Sequence, residues 1–433
     1  MPAQTVRAIL AANDRGGYTV PNNRVYPFQW NWDSAFVAMG FALLDEDRAF
    51  TELERLFEAQ WPDGMVPHIV FHVDAEGYYP GPEHWGTPAT APRSSGITQP
   101  PVAASAAWRI VEAARDRVAA EARARALLPK LFASHAWWHE VRDPDGSGLV
   151  RVVNPWETGR DNSPEWDAPL AAVVPTVSVG HLRQDNKRVD PKERPTDDFY
   201  NRVMTLVTAA RATGWDNRRI AVESAFRVCD IGIQSILIRA DRDLAALARA
   251  LAEPGMAARL EAWADRSAAA LAGLVAPDGS WRSKDLVSGR LADASVSAGF
   301  LPLYARAASQ AEADAAAARF RAWAGRVARM VPSTDPGDPR FDPHRYWRGP
   351  VWSVVNFMIA DGFAHYGHDD IAARIRRDTG QLTTRHGFAE YFDPVTGAPL
   401  GGRDFSWTAA IALLWNLVGV DQPVGGESDP PAA

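Results

Sequence analysis

The chain lacks the sequence features that mark several large classes of protein. Its 433 residues include one cysteine, Cys229, so an internal disulfide is excluded. No apolar run approaches the roughly 20 residues that a membrane-spanning helix needs. The first residues also lack the apolar core of a signal peptide. We therefore expect no membrane association and predict a cytoplasmic protein.

Positive charge is scarce relative to negative charge. The sequence has 46 Lys and Arg against 53 Asp and Glu, a formal net charge of -7, and the two signs are interspersed. A nucleic-acid partner requires a basic surface that displaces counterions from the phosphates, and this sequence has no basic stripe. We therefore expect no nucleic-acid partner. The sequence carries no signal for oligomeric state, and a homo-oligomer is left open.

Several catalytic motifs are missing as well. There is no G-x-S-x-G elbow, Walker lysine motif, G-x-G-x-x-G or paired C-x-x-C, so acyl transfer, NTP hydrolysis, dinucleotide binding and structural zinc lack their signals. His135 and His139 stand four apart, as helical metal ligands would, but no third ligand accompanies them. A satisfied or exposed helical pair is favoured, and we expect neither a metal nor an organic cofactor.

Strand patterns are rare, whereas helical patterns are common. The main alternating stretches are "GLVRVV" and "PHIVFHV", both short. One helical segment includes Cys229, which predicts a buried helical thiol. The eleven predicted helical segments are 33–45, 47–59, 102–115, 118–139, 197–212, 218–251, 255–275, 310–330, 351–366, 368–384 and 405–418.

Three predicted helices begin alike, in "QWNWDSAF", "GPVWSVVNF" and "FSWTAAI". Each places a tryptophan beside a residue of N-cap type, which we take to be Asp33, Ser353, and either Ser406 or Thr408. Recurrent helix starts without a constant repeat length suit helix pairs arranged around an axis. The fold prediction is an all-α helical toroid of the α/α type.

Two long polar loops interrupt the helices. They are the wall loop, residues 64–101, and the lid loop, residues 171–197, named for the parts of one pocket that they are predicted to form. Residues 1–420 are predicted to be a single domain. The tail, 421–433, is predicted to be disordered.

Tryptophan and acidic residues are concentrated in the loops. The chain has 17 Trp, and the stretch "NPWETGRDNSPEWD" combines Glu157, Asp161, Glu165 and Asp167 with two of them. Among indole rings a carboxylic acid is desolvated, which raises its pKa and suits it to donate a proton near neutral pH. With a second, ionised carboxylate to activate water and a stacking surface, such an acid forms the minimal constellation of a glycosidase. Each acid alone could instead be a cap or a turn former.

Eight motifs of this chain resemble, in order and spacing, the bacterial mannosylglycerate and glucosylglycerate hydrolases of glycoside hydrolase family 63. They are "YPFQWNWDSAF", "WPDGMVPHIVFH", "SGITQPP", "NPWETGRDNSPEWD", "ERPTDDFY", "YWRGPVWSVVNF", "FAEYFDPVTG" and "GGRDFSWTAA". The resemblance runs from about Asp14 to Gly419. It implies an (α/α)6 barrel with long substrate-covering loops and an inverting mechanism.

The same resemblance assigns roles to single residues. It implies that Asp161 is the general acid and Glu390 the general base. Arg194 and Tyr200 match the positions that grip the glycerate carboxylate, and Asp33 and Gln99 are expected to hold sugar hydroxyls. The remaining predicted substrate-binding residues are Tyr26, Trp30, Trp32, Trp156, Gly159, Tyr346, Trp347 and Trp352.

One residue departs from the family's pattern. Arg160 stands where methionine is expected before the acid. A cation beside Asp161 would favour its ionised form and oppose its use as an acid. That conflict disappears if Arg160 points away or pairs with Glu157 or Glu165.

The predicted function is inverting hydrolysis of a small α-glucoside or α-mannoside, above all α-glucosylglycerate or α-mannosylglycerate. Another small α-linked disaccharide is an alternative substrate. Two other functions are left open. A sugar epimerase on a similar barrel would use histidines, with His68, His72 and His344 as candidates. A carbohydrate sensor would bind the sugar without turnover.

Overall fold

The computed structural model describes residues 5–88, 91–419, 421 and 424. In these ranges the chain forms seventeen α-helices and seven short strands. The helices are α1 Val6–Asn13, α2 Asn31–Phe41, α3 Glu46–Phe57, α4 Pro82–Trp85, α5 Ala103–Ala113, α6 Arg117–Val141, α7 Asp167–Ala171, α8 Asp185–Arg188, α9 Asp197–Ala212, α10 Asn217–Glu223, α11 Ile231–Ala250, α12 Pro254–Ala270, α13 Leu301–Tyr304, α14 Gln310–Ala324, α15 Ser353–His365, α16 Asp369–His386 and α17 Ser406–Leu414. The strands are β1 Gln29–Trp30, β2 Ile69–Phe71, β3 Arg93–Ser94, β4 Val228–Cys229, β5 Lys284–Asp285, β6 Tyr391–Phe392 and β7 Pro399–Leu400.

Six of these helices contact one another in a closed cycle. In order, α2 contacts α5, α5 contacts α11, α11 contacts α13, α13 contacts α15, α15 contacts α17, and α17 returns to α2. Further helices pack on members of this cycle: α3 on α2, α6 on α5, α12 on α11, α16 on α15 and α1 on α17. The fold is therefore helix-rich, as predicted; the six helices that contact one another in a closed cycle are called the inner cycle, and further helices pack on five of them.

Sequence composition accounts for the complete burial of some helices of this cycle. Every residue of α2 is buried, and α17 is apolar along its length, so neither helix has a face suited to water. By contrast, α3 has an apolar face and a charged face and buries only the apolar one. Uniformly apolar segments thus account for α2 and α17, whereas α5 and α11 of the same cycle also carry charged residues.

The three similar helix starts are α2, α15 and α17, all members of the inner cycle. Their N-cap residues are aromatic, namely Trp30, Trp352 and Phe405, with extended backbone and no capping hydrogen bond from the side chain. The predicted caps Asp33 and Ser353 are therefore wrong, since both residues lie inside the first helical turn, as do Ser406 and Thr408. The aromatic side chains at these three N-cap positions are buried.

The prediction of a helical Cys229 is also wrong. Cys229 is buried, as expected, but it lies in β4, where it pairs with Lys284 of β5. Asp230 ends the strand and caps α11, because its side chain accepts a hydrogen bond from the backbone N–H of Gly232. The predicted segment 218–251 is thus two helices, α10 and α11, separated by a strand.

Short strands bring the loops against the helix ends. In one sheet β2 lies between β1 and β3, with Trp30 opposite Ile69 and Val70 opposite Ser94. This sheet fixes the wall loop beside the start of α2. In a second sheet, β6 and β7 form the hairpin that follows Glu390.

Both predicted loops contain secondary structure. The wall loop includes β2, α4 and β3, and the lid loop includes α8 and 3-10 turns at Gly180–Leu182 and Pro191–Glu193. In the predicted tail, Asp421 accepts a hydrogen bond from Arg7 and Val424 is buried. The other residues of 421–433 lie outside the described residues. No helix in the described part of the chain is long and apolar enough to cross a membrane.

Candidate active site

A cavity with about 870 Å³ of unoccupied space, including its mouth, gathers most of the predicted site residues. Both predicted catalytic carboxylates line it. The predicted residues that line the cavity are Tyr26, Trp30, Trp32, Asp33, Gln99, Trp156, Gly159, Asp161, Arg194, Tyr200, Tyr346, Trp347 and Glu390.

The acid segment, residues 154–167, is built from two 3-10 turns. The side chain of Asn154 accepts a hydrogen bond from the N–H of Trp156 and starts the first turn, and a proline begins each turn. Gly159 ends the first turn with a φ of 66°, and a Cβ there would lie 2.7 Å from the Trp32 ring. The segment therefore requires glycine at this position to bring Asp161 close to α2.

Asp161 is partly buried in the cavity wall. Within residues 5–88 and 91–419, no side chain of another residue donates a hydrogen bond to its carboxyl group. Burial is the largest cause that raises the pKa of Asp161, to about 7, while the Arg194 cation and its own backbone N–H oppose the rise. The group can therefore hold a proton near neutral pH, as a general acid must.

Arg160 points away from the neighbouring acid. Its guanidinium donates to Glu165 at 2.6 Å and to Asp230 at 2.5 Å, and all three side chains are buried. Glu157 instead pairs with Arg142. Arg160 is not among the main influences on the pKa of Asp161, so the cation does not oppose its use as an acid.

Glu390 is held by donors on both carboxylate oxygens. Tyr26 donates its hydroxyl to Oε1 at 2.9 Å, and the backbone N–H of Gly402 donates to Oε2 at 2.8 Å. Gly401 has a φ of 67°, and a Cβ there would lie 2.5 Å from Oε2, so the hairpin needs glycine to close around this carboxylate. Burial raises the pKa of Glu390, whereas Arg194, Gly402 and Tyr26 lower it.

The two carboxylates therefore differ in environment. Three neighbours favour the ionised form of Glu390, while Asp161 receives no side-chain donor in the described part of the chain. A pair of carboxyl groups whose surroundings separate their pKa values can divide the roles of acid and base. Asp33, the third carboxyl group of the cavity, is buried, and burial raises its pKa well above its ordinary value.

The aromatic wall of the cavity is layered. Trp347 lines it, and Trp352 stacks on Trp347 with ring centroids 3.8 Å apart and planes inclined by 3°. Trp352 is thus a correction to the predicted set, because it lies outside the cavity lining and supports Trp347 instead. The backbone N–H of Trp347 donates to Asn162, which links this wall to the acid segment.

A cluster of charged residues closes the cavity on the side of the lid loop. Arg183 donates to both oxygens of Asp185, and Arg194 and Tyr200 donate to its Oδ2 at 3.0 and 3.1 Å. Arg194 is 3% exposed, so it is a buried cation and not a solvated surface charge. Its Nη1 has no hydrogen-bond partner in the described part of the chain and lies 3.8 Å from Glu390 Oε1.

Several cavity residues were not predicted from the sequence. Asp185 and Arg188 come from the lid loop and Tyr78 from the wall loop. The only sequence signal for them was membership in these loops. Trp407 lies in "FSWTAA", and this motif could have suggested it. The other unpredicted lining residues are Pro21, Val25, His68, Ile69, Tyr79, Pro80, Gln184 and Phe405.

The helical histidine pair has a structural role. His135 and His139 of α6 both hydrogen-bond to Asp241, at 2.6 and 2.9 Å, and all three side chains are buried. The pair is therefore hydrogen-bonded to a buried carboxylate, although His139 Nδ1 has no hydrogen-bond partner among the described residues. Among the described residues, no group of three or more His, Cys, Asp or Glu is arranged to hold a metal ion.

The family model and the similar proteins of known name point to the same family. The family described as the mannosylglycerate hydrolase MGH1-like glycoside hydrolase domain matches residues 26–408. The mannosylglycerate hydrolase of Thermus thermophilus is 46% identical over 410 residues, which cover 94% of this chain and 98% of the relative. The glucosylglycerate hydrolase of Mycolicibacterium hassiacum is 36% identical over 426 residues, which cover 94% and 96% of the two chains.

Solved structures agree with this result. The GH63 mannosylglycerate hydrolase from Thermus thermophilus, in complex with Tris and D-glycerate, superposes with a TM-score of 0.90 at 45% identity. The match covers 95% of this chain and 100% of that one. The same hydrolase in complex with glucose gives a TM-score of 0.88. This chain therefore belongs to the mannosylglycerate hydrolase MGH1-like glycoside hydrolases, within glycoside hydrolase family 63.

Proposed function

We propose that this enzyme hydrolyses α-glucosylglycerate or α-mannosylglycerate to the free sugar and glycerate, with inversion at the anomeric carbon. The observation that carries the proposal is one cavity with Asp161 and Glu390 in its wall and, beside them, Arg194 Nη1, which has no hydrogen-bond partner among the described residues. Relatives that cover nearly the whole chain bear the names of these two hydrolases. Complexes of one relative contain glucose or D-glycerate, the two halves of such a substrate.

The proposed mechanism follows from the two carboxyl groups. Protonated Asp161 donates its proton to the glycosidic oxygen as the bond to the anomeric carbon breaks. Ionised Glu390 accepts a proton from a water molecule, which attacks the anomeric carbon from the opposite face through an oxocarbenium-like transition state. The glycerate leaves as an alcohol, and the sugar leaves with inverted configuration.

Other residues of the cavity would hold the substrate. Trp347, backed by Trp352, offers a stacking surface for the sugar ring. Asp33 and Gln99 face the same space and would bind hydroxyl groups. Gln99 also accepts a hydrogen bond from the N–H of Trp32, which fixes its side chain at the start of α2.

The lid loop would bind the carboxylate of the aglycone. Asp185 fixes Arg194 through Nε and Tyr200 through its hydroxyl. The buried Nη1 of Arg194 is left for one more acceptor. An arginine suits a carboxylate because its N–H groups lie in the plane that the two oxygens need. Arg183 is already paired with Asp185 and Asp197, so of these two arginines it is Arg194 that keeps a buried nitrogen without a hydrogen bond among the described residues.

We also propose that the chain is an (α/α)6 barrel in one domain, residues 1–420. The closed cycle of six inner helices supports the barrel, and the partner helices on five of its members support the pairing. The wall and lid loops would then be insertions at the substrate end. The cytoplasmic location and a homo-oligomeric state stay predictions.

The contacts of the three histidines argue against an epimerase. Only His68 lines the cavity, where its Nδ1 contacts Ser95 and burial lowers its pKa to about 3. His72 stacks on Tyr18, and His344 is exposed beside Asp393. No second histidine faces the cavity in the described part of the chain, so a histidine pair for proton transfer is missing. A sensor is disfavoured because binding alone requires neither the acid nor the base.

The pH dependence of kcat/KM is expected to be bell-shaped. Glu390 must be ionised, so activity is lost as the pH falls through its pKa, which burial raises from 4.5. Asp161 must be protonated, so activity is lost as the pH rises through its pKa of about 7. Initial rates at low substrate concentration, at constant ionic strength from about pH 4 to about pH 9, would check this. An activity that increases throughout the alkaline range would contradict the assignment of the acid.

The proposed substrate and stereochemistry can be tested together. The purified enzyme is incubated with α-glucosylglycerate, α-mannosylglycerate, α-glucosylglycerol and α,α-trehalose, and proton NMR follows the first anomer released. We expect turnover of at least one glycosylglycerate, initial release of the β-anomer, and a much lower kcat/KM for the glycerol analogue, which lacks the carboxylate. Initial release of the α-anomer would rule out inversion.

A substitution of Arg194 tests whether this residue recognises the carboxylate of the aglycone. Arg194→Met removes the fork that would bind the carboxylate, so KM for the preferred glycosylglycerate should rise by about 10- to 100-fold, the size of a charge-assisted interaction. KM for the glycerol analogue, which has no carboxylate, should change little, whereas kcat should change alike for both substrates because Arg194 also lowers the pKa of Glu390 and Asp161. Equal rises in KM for both substrates would show that Arg194 does not recognise the carboxylate.

A further inference from the structure

Asp161 raises a positioning problem. A general acid must keep its proton, and donors to its carboxyl group would favour the ionised form. The carboxyl group of Asp161 receives no hydrogen bond from another side chain in the described part of the chain, and this keeps its pKa high. Among the described residues, the carboxyl group is then held directly only by the backbone N–H of Asp161 itself. Its position must therefore be set by the residues on either side.

One of these anchors is on the C-terminal side. Asn162 accepts a hydrogen bond from the backbone N–H of Trp347 at 2.9 Å. This contact holds the acid segment against the wall that would stack on the sugar. It fixes the backbone on the C-terminal side of Asp161. The backbone on the N-terminal side is fixed by Arg160.

Arg160 forms the second anchor through both of its terminal nitrogens. Nη1 donates to Glu165 within the acid segment, and Nη2 donates to Asp230, 70 residues further along the chain. Asp230 is the N-cap of α11, a helix of the inner cycle. The carbonyl oxygen of Arg160 also accepts from Trp166 Nε1 at 3.0 Å. Backbone and side chain of Arg160 are thus both tied to buried groups.

The charges of this cluster show that Arg160 is needed. Glu165 and Asp230 are buried carboxylates, and Arg160 is the cation that both of them bind. Asp230 Oδ2 has no hydrogen-bond partner in the described residues. Without Arg160 two buried negative groups would face each other, and the acid segment would lose its link to α11.

We infer that Arg160 is a positioning residue for the general acid, which it holds at the glycosidic oxygen by clamping the acid segment to α11 through Glu165 and Asp230. This inference rests on the proposed function. It gives a role to Arg160, which stands where the resemblance leads us to expect methionine.

The test compares two leaving groups. Glycerate leaves as an alkoxide unless it is protonated, whereas fluoride leaves without help from an acid. In Arg160→Met, kcat for the preferred glycosylglycerate should fall by about 100-fold, as for a misplaced catalytic group. Its KM should change little, and kcat/KM for the matching α-glycosyl fluoride should stay within about three-fold of the wild-type value. Equal losses on both substrates would overturn the inference, because general damage does not depend on the leaving group.

Milder and matched variants keep the test decisive if Arg160→Met does not fold. Asp230→Asn retains a capping oxygen for α11 but weakens the bond to Arg160, so it should show the same leaving-group dependence at smaller size. Arg239→Met is the control: Arg239, also on α11, pairs with Asp243 and Asp361 away from the cavity. It should affect both substrates alike. A wild-type enzyme that hydrolyses the fluoride but no glycosylglycerate would refute the proposed function instead.

Discussion

Replacing Glu390 by glutamine is expected to lower kcat by about 10²- to 10⁴-fold, the range for loss of a general base. The amide cannot accept the proton of the attacking water. Folding should survive, because the amide oxygen can still accept from the backbone N–H of Gly402. The amide N–H₂ can then donate to the Tyr26 hydroxyl, which is also within 3.2 Å of Tyr346. Steady-state kinetics on the preferred glycosylglycerate would check the loss, with a thermal melt to confirm folding.

A neighbouring carboxylate gives the control for Glu390. The side chain of Glu193, in the lid loop, accepts a hydrogen bond from the backbone N–H of Gly401, which follows β7. Glu193 does not line the cavity. Glu193→Gln should therefore keep kcat within a few-fold of wild type. Comparing the glycosylglycerate with the glycosyl fluoride is informative here as well, because hydrolysis of both substrates needs the base to activate water. Glu390→Gln should lose activity on the glycosyl fluoride as well, and a variant that kept most of its turnover on either substrate would remove Glu390 from the mechanism.

The helices of the inner cycle could be predicted from the sequence because their signal is local. The stretches that begin "QWNWDSAF", "GPVWSVVNF" and "FSWTAAI" are apolar on every side, and only a buried helix can satisfy such a pattern. They became α2, α15 and α17. Thirteen of the residues predicted for the site line the cavity, and the resemblance to family 63 supplied four of them: Asp161, Arg194, Tyr200 and Glu390.

The errors arose where contacts across the chain decide the structure. Cys229 lies in a helical pattern, but Asp230 caps α11 after it and Lys284 pairs with it in a strand. Trp352 belongs to a motif of the site, yet its ring stacks on Trp347, and no sequence pattern distinguishes the ring that faces the cavity from the ring behind it. Both outcomes depend on tertiary packing and not on local propensity.

The charges of the site show the same limit. From the sequence, Arg160 could have opposed the acid, because its partner Asp230 is 70 positions away and gives no local signal. Asp185 was hidden in a charged loop, although Arg183, Arg194 and Tyr200 all bind it. A residue's charge can be read from the sequence, but its effect on a neighbour depends on which partner neutralises it.

Asp161→Asn is expected to lower kcat for the glycosylglycerate by about 10²- to 10⁴-fold while leaving the glycosyl fluoride nearly unaffected. The amide of asparagine holds no transferable acidic proton, so only the leaving group that needs protonation suffers. Because the alkaline loss of activity is assigned to Asp161, whose pKa is about 7, the residual rate should no longer fall as the pH rises through that value. Kinetics of both substrates across the pH range would measure the two effects.

Asp33 is the rival that this experiment must exclude. It lines the same cavity, and burial raises its pKa well above the ordinary value, so it too can be protonated near neutral pH. If Asp33 binds a sugar hydroxyl, Asp33→Asn should lower kcat/KM for both substrates alike, since both carry the same sugar. If Asp33→Asn rather than Asp161→Asn spares the fluoride, the acid is Asp33. The dependence on leaving group therefore distinguishes the proton donor from a binding residue, which a loss of activity alone would not.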